Sequence, residues 1–445
     1  MTRRLVWVLV TGFGILAVLA VSGGAICRFA ADCRLRSLPL VSRLAHEPPV
    51  LEGVHERGTG DTTLPRGFRQ ETVAAGLNLP TSFAELPDGR FLVAEKDGLV
   101  RVAADGRVLE RPFLDLRPVV DSTGIRGLVM VEASPDFART GFVYLLYAHE
   151  LGPGRRTLLL TRVTATGDVA NPASEEVVLG AAEPEACARA RPRPDCILLE
   201  GDHQGGEIEF LEDGTMLVSL GEGGGEQRGA PPNALRAQDL DSLSGKLLRV
   251  TRDGRGVPSN PFWTGDPRSN RSRVWAYGLR NPFRMALRPG TAAPYVGDLG
   301  LDAWDELDVG ARGANYGWPC YEGTDRVDGY RDRPVCSALY ARGRSAVEAP
   351  LLAYPSASLT GGAFVTGTRY PPPYRGAYFY GDWAESWLRY LPRDAVTAAG
   401  SPAPQDFATN AGGPVQIELG TDGNLLYLAL NAGELRRIVY DGGAR

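Results

Sequence analysis

Along the chain, hydrophobic and polar residues alternate in short runs, and each run follows a turn built from Pro, Asp or Gly. The copies begin at Pro87, Pro135, Glu212, Pro289, Tyr374 and Thr421. Alternation with a period of two after a turn signal is typical of β-strands. Repeats spaced by roughly 45–85 residues, each long enough for a few strands, are typical of propeller blades. The pattern predicts an all-β fold, a six-bladed β-propeller over residues 67–443.

Three long stretches between the repeats, 150–205, 225–275 and 320–360, are interpreted as loops. Propeller loops gather on one face, where they surround the central channel and build the binding site. Two β-sandwiches are the alternative fold. The lack of a linker-like break between residues 67 and 443 favours the propeller.

The N-terminus indicates export. Two arginines precede an uncharged run from Leu5 to Ile26, which is 22 residues long and sufficient to span a bilayer. Small residues near its end also fit a secretory signal, so residues 1–26 are either a signal peptide or a membrane anchor helix. Residues 27–66 follow as a linker. Both interpretations place the body of the protein in the periplasm or otherwise outside the cytoplasm, with membrane contact only if the N-terminal segment stays uncleaved.

Six cysteines fall into three pairs that are close in sequence: Cys27 with Cys33, Cys187 with Cys196, and Cys320 with Cys336. An even number in an exported chain indicates disulfides, although six cysteines allow fifteen connectivities. We predict the nearest-neighbour pairing. A zinc site is the alternative, which the absence of a CxxC motif disfavours.

Composition and charge narrow the function classes. The chain has 445 residues, of which 43% are hydrophobic and 23% charged, and this balance excludes wholesale disorder. A formal net charge of −5 and a pI near 5.6 argue against a nucleic-acid partner, because nucleic-acid binders normally carry a basic stripe. The sequence has no serine nucleophile elbow, HExxH motif or P-loop, so a hydrolase lacks an evident nucleophile or metal.

His203 is the first candidate for chemistry. It lies in the Gly-rich segment 201–206, directly before a predicted strand. A histidine in this setting can face a pocket, and its usual pKa of about 6.5 suits a general base. A structural histidine at the start of a strand is the alternative.

Two further segments carry groups that suit a ligand. Arg280 and Asn281 offer a planar cation and an amide to an oxygen-rich ligand, and a turn with a surface arginine is the alternative. The acidic segment 297–306 has carbonyls and carboxylates that suit a hard cation such as calcium, and a solvated acidic loop is the alternative. Glu222, in a Gly-rich turn, adds a carboxylate.

Five motifs occur in a fixed order, namely 201–206 (Gly-Asp-His-Gln-Gly-Gly), 244–250, 260–262, 278–282 and 313–319. Together they resemble the glucose/sorbosone dehydrogenase family, the soluble PQQ-dependent aldose dehydrogenases, over residues 67–440. Any one motif is weakly specific, whereas the ordered set is specific. The family fold is a six-bladed propeller, in agreement with the repeat pattern.

The resemblance implies a PQQ- and calcium-dependent oxidation of an aldose or related polyol outside the cytoplasm. His203 matches the general base that removes the proton from the sugar C1 hydroxyl. By the same resemblance, Arg280 and Asn281 are expected to contact the quinone. Glu222 and Gln204 are expected to contact the sugar. The carbonyls of Gly300 and Leu301 are expected to bind the calcium ion.

The chain departs from the family where the carboxylates of PQQ are held. Where the family has a lysine, this chain has residues 356–358 (Ser-Ala-Ser). The places of two PQQ-binding arginines of the family fall at about Gly413 and Val415, and the place of a glutamine that contacts the sugar falls near Ile125. Each lost charge-assisted hydrogen bond costs about 1.5–3 kcal/mol. Candidate substitutes are other arginines, namely Arg342, Arg344 and Arg369, and for an anionic ligand Arg189, Arg191 and Arg193 in the Cys187–Cys196 loop.

Two other functions stay open. The missing cations and the membrane tether favour a non-catalytic propeller that binds a carbohydrate or protein ligand. A propeller lactonase or other metal hydrolase would need a cage of carboxylate and Asn ligands in the central channel, to which Asp302, Asp305 and Glu306 could contribute.

Overall fold

The structure, a computed structural model, describes residues 61–183, 187, 195–225, 230–355, 358–397 and 403–442. The predicted signal or anchor segment, most of the linker, the Cys27–Cys33 pair and the arginines at 189, 191 and 193 lie outside these residues. No helix in the described part of the chain has the length and apolar character needed to cross a bilayer.

Within the described residues, five antiparallel sheets of four strands and one of five strands form the blades of a six-bladed propeller, and a separate two-stranded ribbon accompanies them. Strand β1 (Phe68–Ala75) belongs to the last blade, because it pairs with the strand formed by residues 434–440. The chain then passes directly into blade 1. Blade 1 consists of β2 (Pro80–Glu85), β3 (Phe91–Glu95), β4 (Leu99–Ala104) and β5 (Arg107–Val108), and β6 (Leu114–Asp115) also pairs with β4. Blade 2 consists of β7 (Leu128–Ala133), β8 (Phe142–Gly152), β9 (Arg155–Thr166) and β10 (Val169–Leu179). Blade 3 consists of β11 (Gly205–Phe210), β12 (Met216–Leu220), β13 (Lys246–Val250) and β14 (Val274–Tyr277).

Blades 4 to 6 complete the ring. Blade 4 consists of β15 (Pro282–Leu287), β16 (Pro294–Asp298), β17 (Trp304–Val309) and β20 (Leu352–Pro355), and the ribbon of β18 (Tyr321–Glu322) and β19 (Asp325–Arg326) lies between β17 and β20 in the chain. Blade 5 consists of β21 (Leu359–Phe364), β22 (Tyr378–Asp382), β23 (Trp387–Leu391) and β24 (Gln405–Thr409). Blade 6 consists of β25 (Pro414–Leu419), β26 (Leu425–Ala429) and β27 (Glu434–Tyr440), together with β1. β1 pairs with β27 from Phe68↔Tyr440 to Ala75↔Glu434, so the two ends of the chain close the propeller in one sheet.

Helices are short and few among the described residues. The α-helices are α1 (Phe137–Thr140), α2 (Asn270–Arg273), α3 (Pro334–Ala341) and α4 (Arg393–Thr397), and the 3-10 helices are Pro232–Gln238, Asp328–Tyr330, Arg344–Ala346 and Pro372–Tyr374. All of them lie in connections between strands, so the fold is all-β as predicted.

The six repeats of the sequence are the six blades. Each predicted turn connects the innermost strand of a blade to its second strand, as residues 87–89 do between β2 and β3 and residues 421–423 between β25 and β26. The prediction of loops was wrong within 150–205, because 155–179 forms strands β9 and β10 of 12 and 11 residues. It was also wrong for parts of the other two stretches, since β13 lies within 225–275 and β20 within 320–360. The sequence obscured β9 because both faces of its run Thr157–Thr161 are buried, which removes the alternation. It obscured β10 because most residues of that strand are exposed or only partly buried.

The hydrophobic core is divided among the interfaces between neighbouring blades. Leu92 and Val100 of blade 1 pack with Leu145 of blade 2. A cluster of the same kind lies between each of the five remaining pairs of neighbouring blades. Burying one such Val or Leu side chain contributes about 1.5–3 kcal/mol. Because blade 6 packs on blade 1 through Leu428 and Val93, the ring has no exposed interface.

Each innermost strand has a bulge at its start, and one arginine donates hydrogen bonds to carbonyls of four of the six bulged residues. The bulged residues are Thr81, Val129, Gly206, Phe283, Thr360 and Val415, one in each blade. The guanidinium of Arg284, on β15, donates to the carbonyls of Thr81 (2.6 Å), Val129 (3.0 Å), Val415 (3.0 Å) and Gly206. A single buried side chain therefore links blade 4 to four other blades near the start of the innermost strands.

Candidate active site

The candidate residues gather at the end of the channel where the innermost strands begin. His203 lies two residues before β11, and Arg280 and Asn281 directly precede β15. Glu222 follows the end of β12, which reaches the same edge because β12 runs antiparallel to β11. The turn from β16 to β17, residues 299–303, reaches this edge as well. The antiparallel register of blades 3 and 4 thus brings the separate motifs together.

His203 and Glu222 form a buried pair. Nδ1 of His203 lies 2.6 Å from Oε1 of Glu222, and the two residues are 3% and 2% exposed. Because a carboxylate only accepts hydrogen bonds, Nδ1 carries the proton and Nε2 keeps its lone pair. Burial lowers the pKa of His203, the hydrogen bond to Glu222 opposes this shift, and the positive charge of Arg280 adds to it. His203 is therefore a neutral imidazole near pH 7, in the protonation state of a base.

Glycines permit the backbone contacts that hold this pair. The carbonyl of Gly224 accepts the N–H of His203 at 2.9 Å, and the carbonyl of His203 accepts the N–H of Gly223 at 3.1 Å. A side chain on Gly201 would lie 2.2 Å from the backbone of Gly224. Glycine at position 201 is therefore required for the two Gly-rich segments to lie backbone to backbone.

Asp298 orients the Arg280–Asn281 pair. Its carboxylate accepts the N–H of Arg280 at 2.9 Å and that of Asn281 at 2.6 Å. Burial raises the pKa of Asp298 to about 7, although these two hydrogen bonds oppose the shift. The Asn281 side chain accepts the N–H of Gly205 at 3.0 Å, so it also fixes the start of the strand that follows His203.

The guanidinium of Arg280 lies between His203 and the turn formed by residues 299–303. Nη1 donates to the Leu299 carbonyl at 2.9 Å, and the guanidinium carbon lies 5.4 Å from the ring centroid of Trp318. The Arg280 carbonyl accepts the N–H of Glu222 at 2.8 Å, which connects the arginine to the His203 pair. Nε of Arg280 is buried and has no hydrogen-bond partner among the described residues. The described residues therefore leave this buried donor unpaired.

The turn that contains Gly300 and Leu301 is organised by two carboxylates. The N–H of Gly300 donates to Asp305 at 2.9 Å, and the N–H of Leu301 donates to Glu322 at 2.6 Å. Within the described residues, no three or more His, Cys, Asp or Glu side chains converge as metal ligands. Side chains alone thus provide no carboxylate cage there, whereas the backbone carbonyls of this turn are ligands of the kind that calcium accepts.

Gln204 and Ile125 lie beside the His203 segment. Oε1 of Gln204 accepts the N–H of Gly127 at 3.3 Å, and the side chain is buried. Ile125, where the family has a glutamine, is 51% exposed. The next residue, Arg126, pairs with Asp202, the neighbour of His203. The 121–127 segment therefore borders the site through an arginine.

The positions of the missing arginines are filled by uncharged groups. Nε1 of Trp383 donates to Asn431 at 3.1 Å, and a side chain on Gly413 would lie 2.7 Å from Asn431. Val415 is buried. Arg369 lies between β21 and β22, at the opposite end of the blade, so it is no substitute. Arg344 donates to the carbonyls of Val347 and Gly323, and residues 356–357 lie outside the described part of the chain.

Two residues contact the site in ways that the sequence did not predict. Asp298 and Glu322 each receive two or more backbone N–H groups from the site. Asp298 was included only as one of the acidic groups of the segment 297–306, and Glu322 was assigned no role. The available signal was an acidic residue in an apolar context, since Asp298 ends a buried strand and Glu322 follows the Trp318 motif.

Both disulfides predicted within the described residues are present. Cys187 is bonded to Cys196, and Cys320 is bonded to Cys336. The second one closes the segment that carries Glu322, next to the candidate metal turn.

Comparison with known proteins agrees with the fold. Residues 77–437 match the family model described as glucose/sorbosone dehydrogenase. The aldose sugar dehydrogenase YliI of Escherichia coli K12 is 30% identical over 256 residues, which are 57% of this chain and 62% of that protein. A crystal structure of a glucose dehydrogenase superposes with a TM-score of 0.66 at 29% identity, over 83% of this chain and 98% of the other. The PQQ-bound aldose sugar dehydrogenase of Streptomyces coelicolor has the same fold, with a TM-score of 0.58 at 24% identity over 85% and 99% of the two chains.

Proposed function

The chain belongs to the glucose/sorbosone dehydrogenase family, and from this premise we propose that it oxidises the C1 hydroxyl of an aldose or related sugar, with His203 as general base. The observation that carries the proposal is the buried pair of His203 with Glu222, at 2.6 Å. This contact keeps the proton on Nδ1 and leaves Nε2 to accept the hydroxyl proton. As that proton leaves, the C1–O bond becomes a carbonyl and the C1 hydrogen departs as hydride.

The residues at the site fit the quinone end of PQQ. The buried Nε of Arg280 has no partner among the described residues, and a cation there would stabilise negative charge that develops on a quinone oxygen. Bound PQQ would supply the hydride acceptor. Relatives support this cofactor, since the Streptomyces coelicolor enzyme is PQQ-bound. At the carboxylate end the positions of Gly413 and Val415 provide no cation, so we expect weaker binding than in a family member that has both arginines.

Calcium is the proposed metal, held by the carbonyls of Gly300 and Leu301. Their turn borders Arg280 through the Leu299 carbonyl, so a cation there would lie on the quinone side of the site. Glu222 orients the base, and Gln204 is proposed to contact the sugar. Export is part of the proposal, and the disulfides Cys187–Cys196 and Cys320–Cys336 support it because such bonds persist in oxidising compartments.

Titration of PQQ into the full chain, in detergent and with calcium, tests the proposal. We expect calorimetric binding in the micromolar range that a chelator abolishes, and sugar-dependent reduction of a dye acceptor. His203→Ala should abolish dye reduction while PQQ still binds. Binding without turnover of any aldose, or no binding, would overturn the proposal.

A recognition propeller is the second candidate function. The Trp383–Asn431 contact, which fills the place of a PQQ-binding arginine with neutral groups, favours it. This candidate predicts no PQQ binding and carbohydrate or protein binding that does not change in His203→Ala. The same titration therefore separates the two functions.

A further inference from the structure

One carboxylate oxygen receives four consecutive backbone N–H groups beside the candidate metal site. Oε1 of Glu322 accepts the N–H groups of Leu301 (2.6 Å), Asp302 (3.1 Å), Ala303 (3.1 Å) and Trp304 (3.2 Å). Backbone donors that converge on one anion form a concave nest. Here the anion is part of the protein, so the nest serves to shape the turn.

The direction of these N–H groups fixes the direction of the carbonyls. In a trans peptide the carbonyl of one residue points opposite to the N–H of the next. The carbonyls of Gly300, Leu301, Asp302 and Ala303 therefore point away from Glu322. The same rule holds one residue earlier, where the N–H of Gly300 donates to Asp305 and the Leu299 carbonyl instead accepts from Arg280.

The backbone of Glu322 is held by contacts outside the turn. Glu322 is 6% exposed and lies on β18, which pairs with β19, two residues after Cys320, which is bonded to Cys336. The fit is close, because a side chain on Gly300 would lie 2.6 Å from Oε1 of Glu322 and 1.9 Å from the Trp304 carbonyl. The turn therefore packs closely on a carboxylate whose backbone belongs to the disulfide-closed segment.

We propose that Glu322 is a positioning residue that turns the carbonyls of residues 300–303 outward and so builds the hard-cation site of the enzyme. The inference rests on the proposed function, which places calcium on the carbonyls of Gly300 and Leu301. It adds that the metal site depends on a residue that does not touch the metal. Glu322 acts through the backbone, as residues that orient metal ligands commonly do.

Calcium binding to chelator-treated full chain, measured by calorimetry without PQQ, tests the inference. Glu322→Ala should weaken calcium binding by about 30-fold, within the 10–100-fold range of outer-shell changes. Glu322→Gln keeps an acceptor oxygen but no charge and should lose about five-fold. Asp325→Asn, on the same ribbon, removes a charge, keeps an oxygen for the ring N–H of Trp304 and leaves the Glu322 carboxylate in place, so it should change affinity by less than about two-fold. Amide hydrogen exchange at 301–304 should be faster in Glu322→Ala, less so in Glu322→Gln, and unchanged in Asp325→Asn.

The outcomes separate the inference from the function on which it rests. If the natural chain binds calcium and Glu322→Ala binds it equally well, the inference is wrong and the proposed function stands. If the natural chain binds no calcium, the metal clause of the proposed function fails, and the inference fails with it. If Glu322→Ala does not fold, Glu322→Gln decides: an affinity loss no larger than that of Asp325→Asn, with unchanged exchange at 301–304, would contradict the inference.

Discussion

Oε1 of Glu222 lies 2.6 Å from Nδ1 of His203, and this contact determines which ring nitrogen can act as a base. The pair is buried, so water does not compete for the hydrogen bond. The carboxylate keeps the proton on Nδ1, while burial and the nearby charge of Arg280 keep the ring neutral. The position of one glutamate thus determines the tautomer of the ring, whereas burial and Arg280 determine its neutral state.

Replacing this carboxylate should reduce catalysis more than binding. In Glu222→Gln the amide fits the same space but no longer requires Nδ1 to be the donor. We expect kcat to fall by about 100-fold or more, the size of a general-base contribution, with little change in the KM for sugar. Steady-state dye reduction measures both constants. Glu212→Gln, exposed on the opposite end of blade 3, is the matched control, and equal rates for the two variants would contradict the assigned role.

The pH dependence of kcat/KM should show an acidic limb that belongs to His203. Because burial lowers its pKa, activity should fall only below about pH 6.5, the ordinary value for histidine. The hydrogen bond that His203 donates to Glu222 raises this pKa, so Glu222→Gln should move the limb to lower pH. Profiles at saturating acceptor test the assignment. A limb at the same pH in both proteins would assign it to another group.

Removing the guanidinium of Arg284 should destabilise the whole ring. Arg284→Met leaves four buried carbonyls without this donor. Because each buried acceptor that is left unsatisfied costs about 1–3 kcal/mol, we expect a total loss of about 3 kcal/mol or more. Urea unfolding should show this loss, whereas the exposed Arg107→Met should lose less than about 0.5 kcal/mol. A loss below about 1 kcal/mol for Arg284→Met would show that the carbonyls find other partners.

Stability should decrease as pH rises, because carboxylates crowd the inner strands. Burial raises the pKa of Glu207 to about 8 and that of Glu418 to about 7, with Arg284 opposing both shifts. Burial and repulsion by Glu418 raise the pKa of Glu132 well above its ordinary value, and the same holds for Glu209.

The sign follows from proton linkage. These groups bind more protons in the folded state than in the unfolded state above about pH 4.3, so their contribution is lost as pH rises through the raised values. The thermal midpoint should fall between pH 6 and 9. Lys246, whose pKa burial lowers to about 7, contributes in the opposite direction. Glu418→Gln should flatten the profile, and an unchanged slope would contradict this origin.

The repeat pattern was sufficient to predict the fold, because each blade begins with the same turn before its second strand. It did not reveal β9, since a strand buried on both faces does not alternate. It did not reveal β10 either, because most residues of that strand are exposed or only partly buried. The ordered motifs located His203 and Arg280. Glu322 was missed because its function depends on four backbone groups far from it in sequence, and a contact with N–H groups leaves no mark on the residue types that supply them.

The Cys320–Cys336 disulfide should support both stability and metal binding. It joins residues separated by 16 positions, and closing a loop of this size contributes about 3 kcal/mol in the chain-entropy account. Replacing both cysteines by serine should lower the unfolding free energy by about that amount. It should also weaken calcium binding, because the segment that anchors Glu322 becomes less constrained. The matched control replaces Cys187 and Cys196, separated by 9 positions, and should leave calcium affinity unchanged. Equal calcium affinity in all three proteins would mean that Glu322 keeps its place without the covalent link.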